Sequence, residues 1–300
     1  MQCPFLKETS VKSCRSSVFR KPIASLPGPG VGERCTTPAY RECSTFRLHP
    51  EAESGTGVCP FLDQSLAQFC SAAARMQFIP YSDSLASRCR NSRYWYCDFF
   101  LSLEEAGERA DEPDVGGIRV PRRLWYSPNH MWLDVREDGI CHVGIDGFAA
   151  RALGQVERIV FLGNGAHTRP AVVLTAGGTD VTMVFPRFLL VQEVNLYLRG
   201  TPSRIAATPY THGWMFEARM PEGEEAVGPE LRRGDEALEW MRSEVDRLSR
   251  FVHAEAGAGL DGVLADGGTF GENLPSQLGR EAVLRMAHDF FSPFTNWNGK

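Results

Sequence analysis

Eight of the nine cysteines fall within the first 97 residues and recur there twice in the same order. Cys3, Cys14, Cys35 and Cys43 form the first set, and Cys59, Cys70, Cys89 and Cys97 the second. Ten residues separate the first two cysteines of each set and seven the last two, whereas the middle gap is 20 in one and 18 in the other. Both sets open on Cys-Pro-Phe-Leu, and both place an arginine directly before the third cysteine, Arg34 and Arg88. This is an internal duplication. The variable gap contains Pro27-Gly28-Pro29-Gly30 in the first copy, the composition of a loop that tolerates a change of length.

Four thiols per copy suit a four-thiolate metal site. Neither copy has the close C-x2-C knuckle of common zinc sites. The wide spacing and the Cys-Pro dipeptides lean toward an iron-sulfur cluster of the 4Fe-4S type; structural zinc, disulfides and free buried thiols are the other readings. An iron-sulfur centre passes electrons, whereas zinc would staple a segment poor in apolar periodicity. The start, MQCPFLKETS, has no apolar leader, so disulfides are disfavoured and the cytoplasm is the expected compartment. Spacing alone leaves open whether each copy builds its own site or the eight ligands are shared.

The elements downstream are easier to place. Met131, Leu133 and Val135 alternate with Trp132, Asp134 and Arg136, the period of a strand with two distinct faces. Asp138-Gly139 is a hairpin signal, and Ile140 to Ile145 is the return strand. Asp146 or Gly147 then starts a short helix through Leu153, stopped by Gly154. Further strands are expected over 156–161, 171–175, 181–185, 189–194 and 213–218, with a loop over 202–210. Leu238, Met241, Val245, Leu248 and Val252 recur at helical spacing, so 235–253 reads as an amphipathic helix capped by Asp235, with Asp246 and Arg250 paired on its outer face. A second helix is expected over 277–291, with Val283, Met286 and Phe290 on one side. The aromatics at the end, including Phe294 and Trp297, suggest a docked tail.

One group of residues is formed by Tyr126, Ser127, Pro128, His130, Trp132, Asp138-Gly139, Val143-Gly144-Ile145, Phe148-Ala149 and Leu153-Gly154. A second group follows in Asn195, Pro202, Ile205, Pro209-Tyr210 and Gly213-Trp214. In these two groups the sequence resembles the glycine cleavage system H protein family. The likeness covers about a third of the chain, from Arg122 to Pro221. It implies a lipoyl-type barrel-sandwich and, in the family, a lipoyl arm amide-linked to a lysine at a hairpin tip. Here the corresponding stretch, residues 172–186, has Ala176, Gly177 and Gly178 around the expected place. The only lysines are Lys7, Lys12, Lys21 and Lys300, so lipoate cannot be attached to the barrel by the family's route.

The expected architecture is therefore multidomain with a mainly β core. Cysteine repeats occupy 1–50 and 51–103, a linker 104–121, the H-like barrel-sandwich 122–222 and a helical extension 229–300. A net charge of −5 gives no reason to expect nucleic acid or membrane, although Arg90, Arg93 and Tyr94 to Tyr96 interleave cations with aromatics. No run of eighteen apolar residues is present. His130 and Trp132 read as packing and hydrogen-bonding residues, Cys141 as a small core residue, and His142 and His167 as histidines without a partner at ligand spacing. No nucleophile elbow or phosphate loop occurs, so no catalytic constellation is expected. The functional expectation is a non-lipoylated adaptor or electron-transfer protein docking onto a multi-subunit enzyme complex. The alternatives are an H-type carrier of the glycine cleavage system and a structural zinc protein.

Overall fold

The computed structural model describes residues 2–16, 21–23, 34–49, 57–72, 77–79, 88–104, 112–162, 168–221, 228–256, 264–265, 269–270 and 273–292. Internal contacts divide the chain into two units, Met1–Tyr94 and Trp95–Lys300.

The first unit is built on strands that alternation does not reveal. β1 (Leu6–Cys14), β2 (Lys21–Pro22), β3 (Leu62–Cys70) and β4 (Gln77–Ile79) form an antiparallel sheet in the order β2-β1-β3-β4. The two long strands pair along their whole length, from Leu6 opposite Cys70 to Cys14 opposite Leu62. Their sequences, LKETSVKSC and LDQSLAQFC, are largely polar, so the ladder holds them rather than a continuous apolar face. A 3-10 turn over Pro38–Glu42 leads into a one-turn helix, α1 (Ser44–Arg47), and Tyr40 between Cys35 and Cys43 is fully buried.

The second unit opens with α2 (Asp98–Glu104). β5 (Asp114–Val115) and β6 (Ile118–Arg119) follow as a hairpin, inside the stretch expected to be a linker, with Val115 and Ile118 buried. The barrel itself has two antiparallel sheets. β7 (Trp125–Tyr126), β8 (Met131–Val135) and β9 (Ile140–Ile145) belong to the larger one, and α3 (Gly147–Leu153) follows them. β10 (Val156–Leu162), β11 (Ala171–Ala176) and β12 (Thr179–Val184) make the smaller sheet. β13 (Leu190–Val194), β14 (Phe216–Arg219) and β15 (Arg232–Arg233) complete the larger sheet in the order β13-β14-β9-β8-β7-β15. The loop expected over 202–210 contains a helical turn, Arg204–Ala207.

The alternation of β8 predicts one wet face, but Met131, Trp132, Leu133 and Asp134 are all buried. The second face is covered by Tyr96, whose ring stacks over Trp132 at 6.0 Å and whose hydroxyl donates to Asp134 at 2.8 Å. Trp132 in turn donates to the Pro209 carbonyl at 3.1 Å and lies against Gly144, where a Cβ would meet its ring at 2.7 Å. Tyr210 accepts from the Gly147 N–H and donates to the Arg119 carbonyl, both at 2.7 Å. Asn195 donates to the carbonyls of His212 and Trp214. The residues that carry the family resemblance are thus the ones that lock the barrel.

The long helix α4 (Gly234–Ala256) buries Leu238, Met241, Val245, Leu248 and Val252 as their spacing requires. Asp235 lies in its first turn and pairs with Arg122 at 2.6 Å. Arg250 donates to the Asp246 backbone carbonyl, not to the expected carboxylate. The last helix is shorter than expected: α5 (Arg280–Met286) passes into a π-helical turn, Ala287–Phe291, with Val283, Met286, Phe290 and Phe291 buried. Phe294 and Trp297 lie outside the described residues.

Candidate functional site

The hairpin expected to offer a lysine is made by β11 and β12. Ala176 pairs with Thr179 across a two-residue turn, Gly177-Gly178, with φ of 54° and 67°. Such tight hairpins need this left-handed backbone, which glycine adopts without steric cost. Gly177 lies against the C-terminal extension: a Cβ there would come within 2.8 Å of the Cβ and carbonyl oxygen of Pro275. Leu274 and Pro275, in the 3-10 turn Leu274–Ser276, are both buried. Gly178 faces open space. No lysine occurs between Lys21 and Lys300, so the tip presents backbone and no amine.

A buried polar group lies elsewhere in the barrel, centred on His130. This residue has φ of 61°, a strained value for a non-glycine residue. Its Nδ1 is 2.9 Å from Asp146 Oδ2, and its Nε2 is 3.4 Å from Glu244 Oε2 on α4. The imidazole stacks on Phe148 at 3.8 Å and on Trp240 at 4.9 Å. Asp146 has a second task, accepting from the Ala149 N–H at 2.9 Å to cap α3, as its sequence position predicts. Burial disfavours the imidazolium, but Asp146 and Glu244 raise the His130 pKa above its ordinary 6.5. Burial likewise opposes ionisation of Glu244, yet His130 and Arg247 hold its carboxyl below the usual range. The group joins the barrel to its C-terminal helix. With all of its members tied to one another in the core, it is a structural latch.

His142, read from sequence as lacking a partner, stands on β9 directly across from Glu217 of β14, with Nε2 3.4 Å from the carboxylate. Its ring stacks on Tyr96 at 4.0 Å. Neighbouring Cys141 is buried, and burial first, then the charges of Asp134 and Glu217, pushes its thiol up to about 12. It is an inert core residue. His167 lies outside the described residues. In the segment considered for stacking on bases, Tyr94 and Tyr96 are buried, and Trp95 packs on Phe100 with the Arg136 guanidinium 4.4 Å over its ring.

An open cleft of about 620 Å³ runs beside α3, bordered by Arg119, Arg151, Ser203, Tyr210 and Asn273. Among the described residues no Lys, Cys, His, Asp or Glu lines it.

Cys3, Cys14, Cys35, Cys43, Cys59, Cys70 and Cys89 belong to the first unit, and Cys97 to the second. Cys3 and Cys59 are buried, the other six are partly exposed, and none forms a disulfide. Among the described residues no three His, Cys, Asp or Glu side chains stand ready-made as a metal centre. No helix among them is long and apolar enough to cross a membrane.

The geometry of the barrel agrees with comparisons to known proteins. Residues 124–244 match the family model described as Glycine cleavage H-protein. The glycine cleavage system H protein of Streptomyces coelicolor is 32% identical over 107 residues, 34% of this chain and 84% of that protein. That of Marinobacter nauticus is 31% identical over 117 residues, covering 36% and 86%. The probable glycine cleavage system H protein of Pyrococcus abyssi is 29% identical over 133 residues, covering 43% and 98%. These relatives are matched along most of their own length, while the cysteine-rich segment lies outside the matched family region. The chain belongs to the glycine cleavage H-protein family.

Proposed function

We propose that this chain is a non-lipoylated member of its family, an adaptor that docks onto a multi-subunit enzyme assembly of the glycine-cleavage type without carrying a substrate group. The observation that carries this reading is the tip of the β11–β12 hairpin, where Gly177-Gly178 stands and no lysine is available in the whole barrel. A lipoyl amide needs a primary amine, and backbone N–H groups and arginine guanidinium groups do not replace it. The residues present therefore do not fit the group. Pro275 packed against Gly177 supports the same conclusion, because one side of the tip is occupied by the protein's own extension.

Two features of the barrel support docking. Its locking contacts are intact, and Leu162, Leu196 and Tyr197, on neighbouring elements, leave large apolar side chains exposed. The names of the relatives favour a second reading, a carrier in the glycine cleavage system, since the match spans 84% of the Streptomyces coelicolor protein. That reading needs an attachment point that the hairpin does not supply. Co-expression with a lipoate ligase separates the two: the adaptor keeps its unmodified mass, whereas a carrier gains a lipoyl increment. Retention of glycine-cleavage enzymes on the unmodified protein tests docking directly.

A further inference from the structure

Within the first unit, residues 3–15 of one cysteine copy and 59–71 of the other are related by an approximate two-fold axis. The axis passes between Ser10 and Leu66, which face one another at the centre of the β1–β3 ladder. The same bonds occur on both sides of it. Leu6 donates to the Cys3 carbonyl at 3.1 Å and Leu62 to the Cys59 carbonyl at 2.9 Å. Arg15 donates to the Phe61 carbonyl and Ser71 to the Phe5 carbonyl, each at 2.9 Å. Cys59 donates to the Cys35 carbonyl at 2.9 Å, and Cys3 to the Cys89 carbonyl at 2.8 Å. In each case the opening cysteine of one copy is tied to the third cysteine of the other. The copies have exchanged their Cys-Pro-Phe-Leu turns.

Side chains follow the same exchange. Phe61, from the second copy's turn, packs on Phe46 at 6.2 Å and on His49 at 5.0 Å, both from the first copy. Arg15 donates to the Pro60 carbonyl at 3.3 Å. Cys14 ends β1 opposite Leu62, whose N–H closes the turn beginning at Cys59. We propose that Cys14, Cys35 and Cys43 of the first copy, joined by Cys59 of the second, bind one thiophilic metal centre, either a zinc ion or an iron-sulfur cluster. Cys43 is tied back towards Cys35 by successive turns, in which Thr37 donates to the Arg34 carbonyl, Tyr40 to the Thr37 carbonyl and Cys43 to the Tyr40 carbonyl.

Coordination releases one proton from each thiol to solvent, and the cation removes the repulsion between the thiolates. Among the described residues no three such side chains stand ready-made as a centre, so the metal has to draw the sulfurs in to the roughly 2.3 Å of a zinc–sulfur bond. This ligand set differs from the one simple repetition suggests, in which Cys3 would complete the first copy's site.

The test is residue-by-residue alkylation of the full-length protein, purified without oxygen and supplied with zinc where metal analysis finds none. In the wild type Cys14, Cys35, Cys43 and Cys59 are expected to be protected. Cys59→Ser should release Cys14, Cys35 and Cys43 to the reagent, and Cys3→Ser should leave them protected. The reverse pattern overturns the crossed set. Equal reactivity of all four thiols in the wild type with and without metal overturns the site itself. If circular dichroism shows that Cys59→Ser does not fold, Cys35→Ser must release Cys14, Cys43 and Cys59 with Cys3 unchanged; release of Cys3 in place of Cys59 overturns the assignment. Zinc without sulfide identifies the mononuclear form, and iron with acid-labile sulfide the cluster.

Discussion

Gly177 and Pro275 meet at the hairpin tip so closely that a Cβ on the glycine would fall within 2.8 Å of the proline's carbonyl oxygen. The contact joins the turn between β11 and β12 to a segment nearly one hundred residues later. It ties the part of the barrel where the family places its arm to the C-terminal extension.

Adjacent glycines should consequently respond differently to alanine. Both have positive φ, so each substitution costs about 1 kcal/mol from the backbone alone. At Gly178 the new methyl group faces open space, and little more is expected. Gly177→Ala must also displace Pro275, for a total loss of about 2–4 kcal/mol. Urea unfolding of the two variants should therefore rank Gly177→Ala well below Gly178→Ala; equal losses would contradict the contact.

The latch at His130 predicts a pH dependence. The folded pKa of His130 is raised, so its stabilisation is full below the unfolded value and is lost as pH rises through the folded value. Glu244 is lowered, so its contribution is present above its unfolded value and fades as pH falls through the folded one. Stability should be greatest between these limits and decline on the alkaline side as the imidazole loses its proton. His130→Gln should cost about 3 kcal/mol at about pH 6 and abolish much of the alkaline decline. Thermal melts across pH check both effects, and an unchanged slope in the variant would refute the assignment.

Tyr96 makes a third test. Its buried hydroxyl donates to Asp134, which also pairs with Arg136 at 2.7 Å. Burial raises the phenol's pKa well above its ordinary 10.0, with the Asp134 charge acting in the same direction. It therefore remains a neutral donor across the physiological range. Tyr96→Phe keeps the ring over His142 and Trp132 but removes the donor, at an expected loss of about 1–3 kcal/mol measured by chemical denaturation. A loss within error of zero would mean that Arg136 alone satisfies the carboxylate.

Local signals made much of the barrel legible. Asp138-Gly139 marked the β8–β9 turn, Asp146 the start of α3 and Gly154 its end, because each residue type has a physical reason to occupy its place. Apolar spacing at Leu238 to Val252 likewise marked the buried face of α4. What escaped depends on distant partners. β1 and β3 are too polar to announce themselves and are stabilised by each other across 56 positions of repeat. His130 pairs with Glu244 from a helix far down the chain, and the second face of β8 is covered by Tyr96, which no periodicity within β8 can reveal. The missing amine was legible in full, because it depends on composition alone. The exchange of turns between the cysteine copies was not, since identical spacings describe crossed and uncrossed sets equally well.

The central claim concerns the barrel without its arm, and the intact mass of the full-length protein tests it most directly. The protein should be produced with lipoate and an active lipoate ligase, beside a lysine-bearing H protein as the positive control. The account predicts a lipoyl increment on the control and none on this chain. A stoichiometric lipoyl increment mapped within residues 124–244 would contradict it.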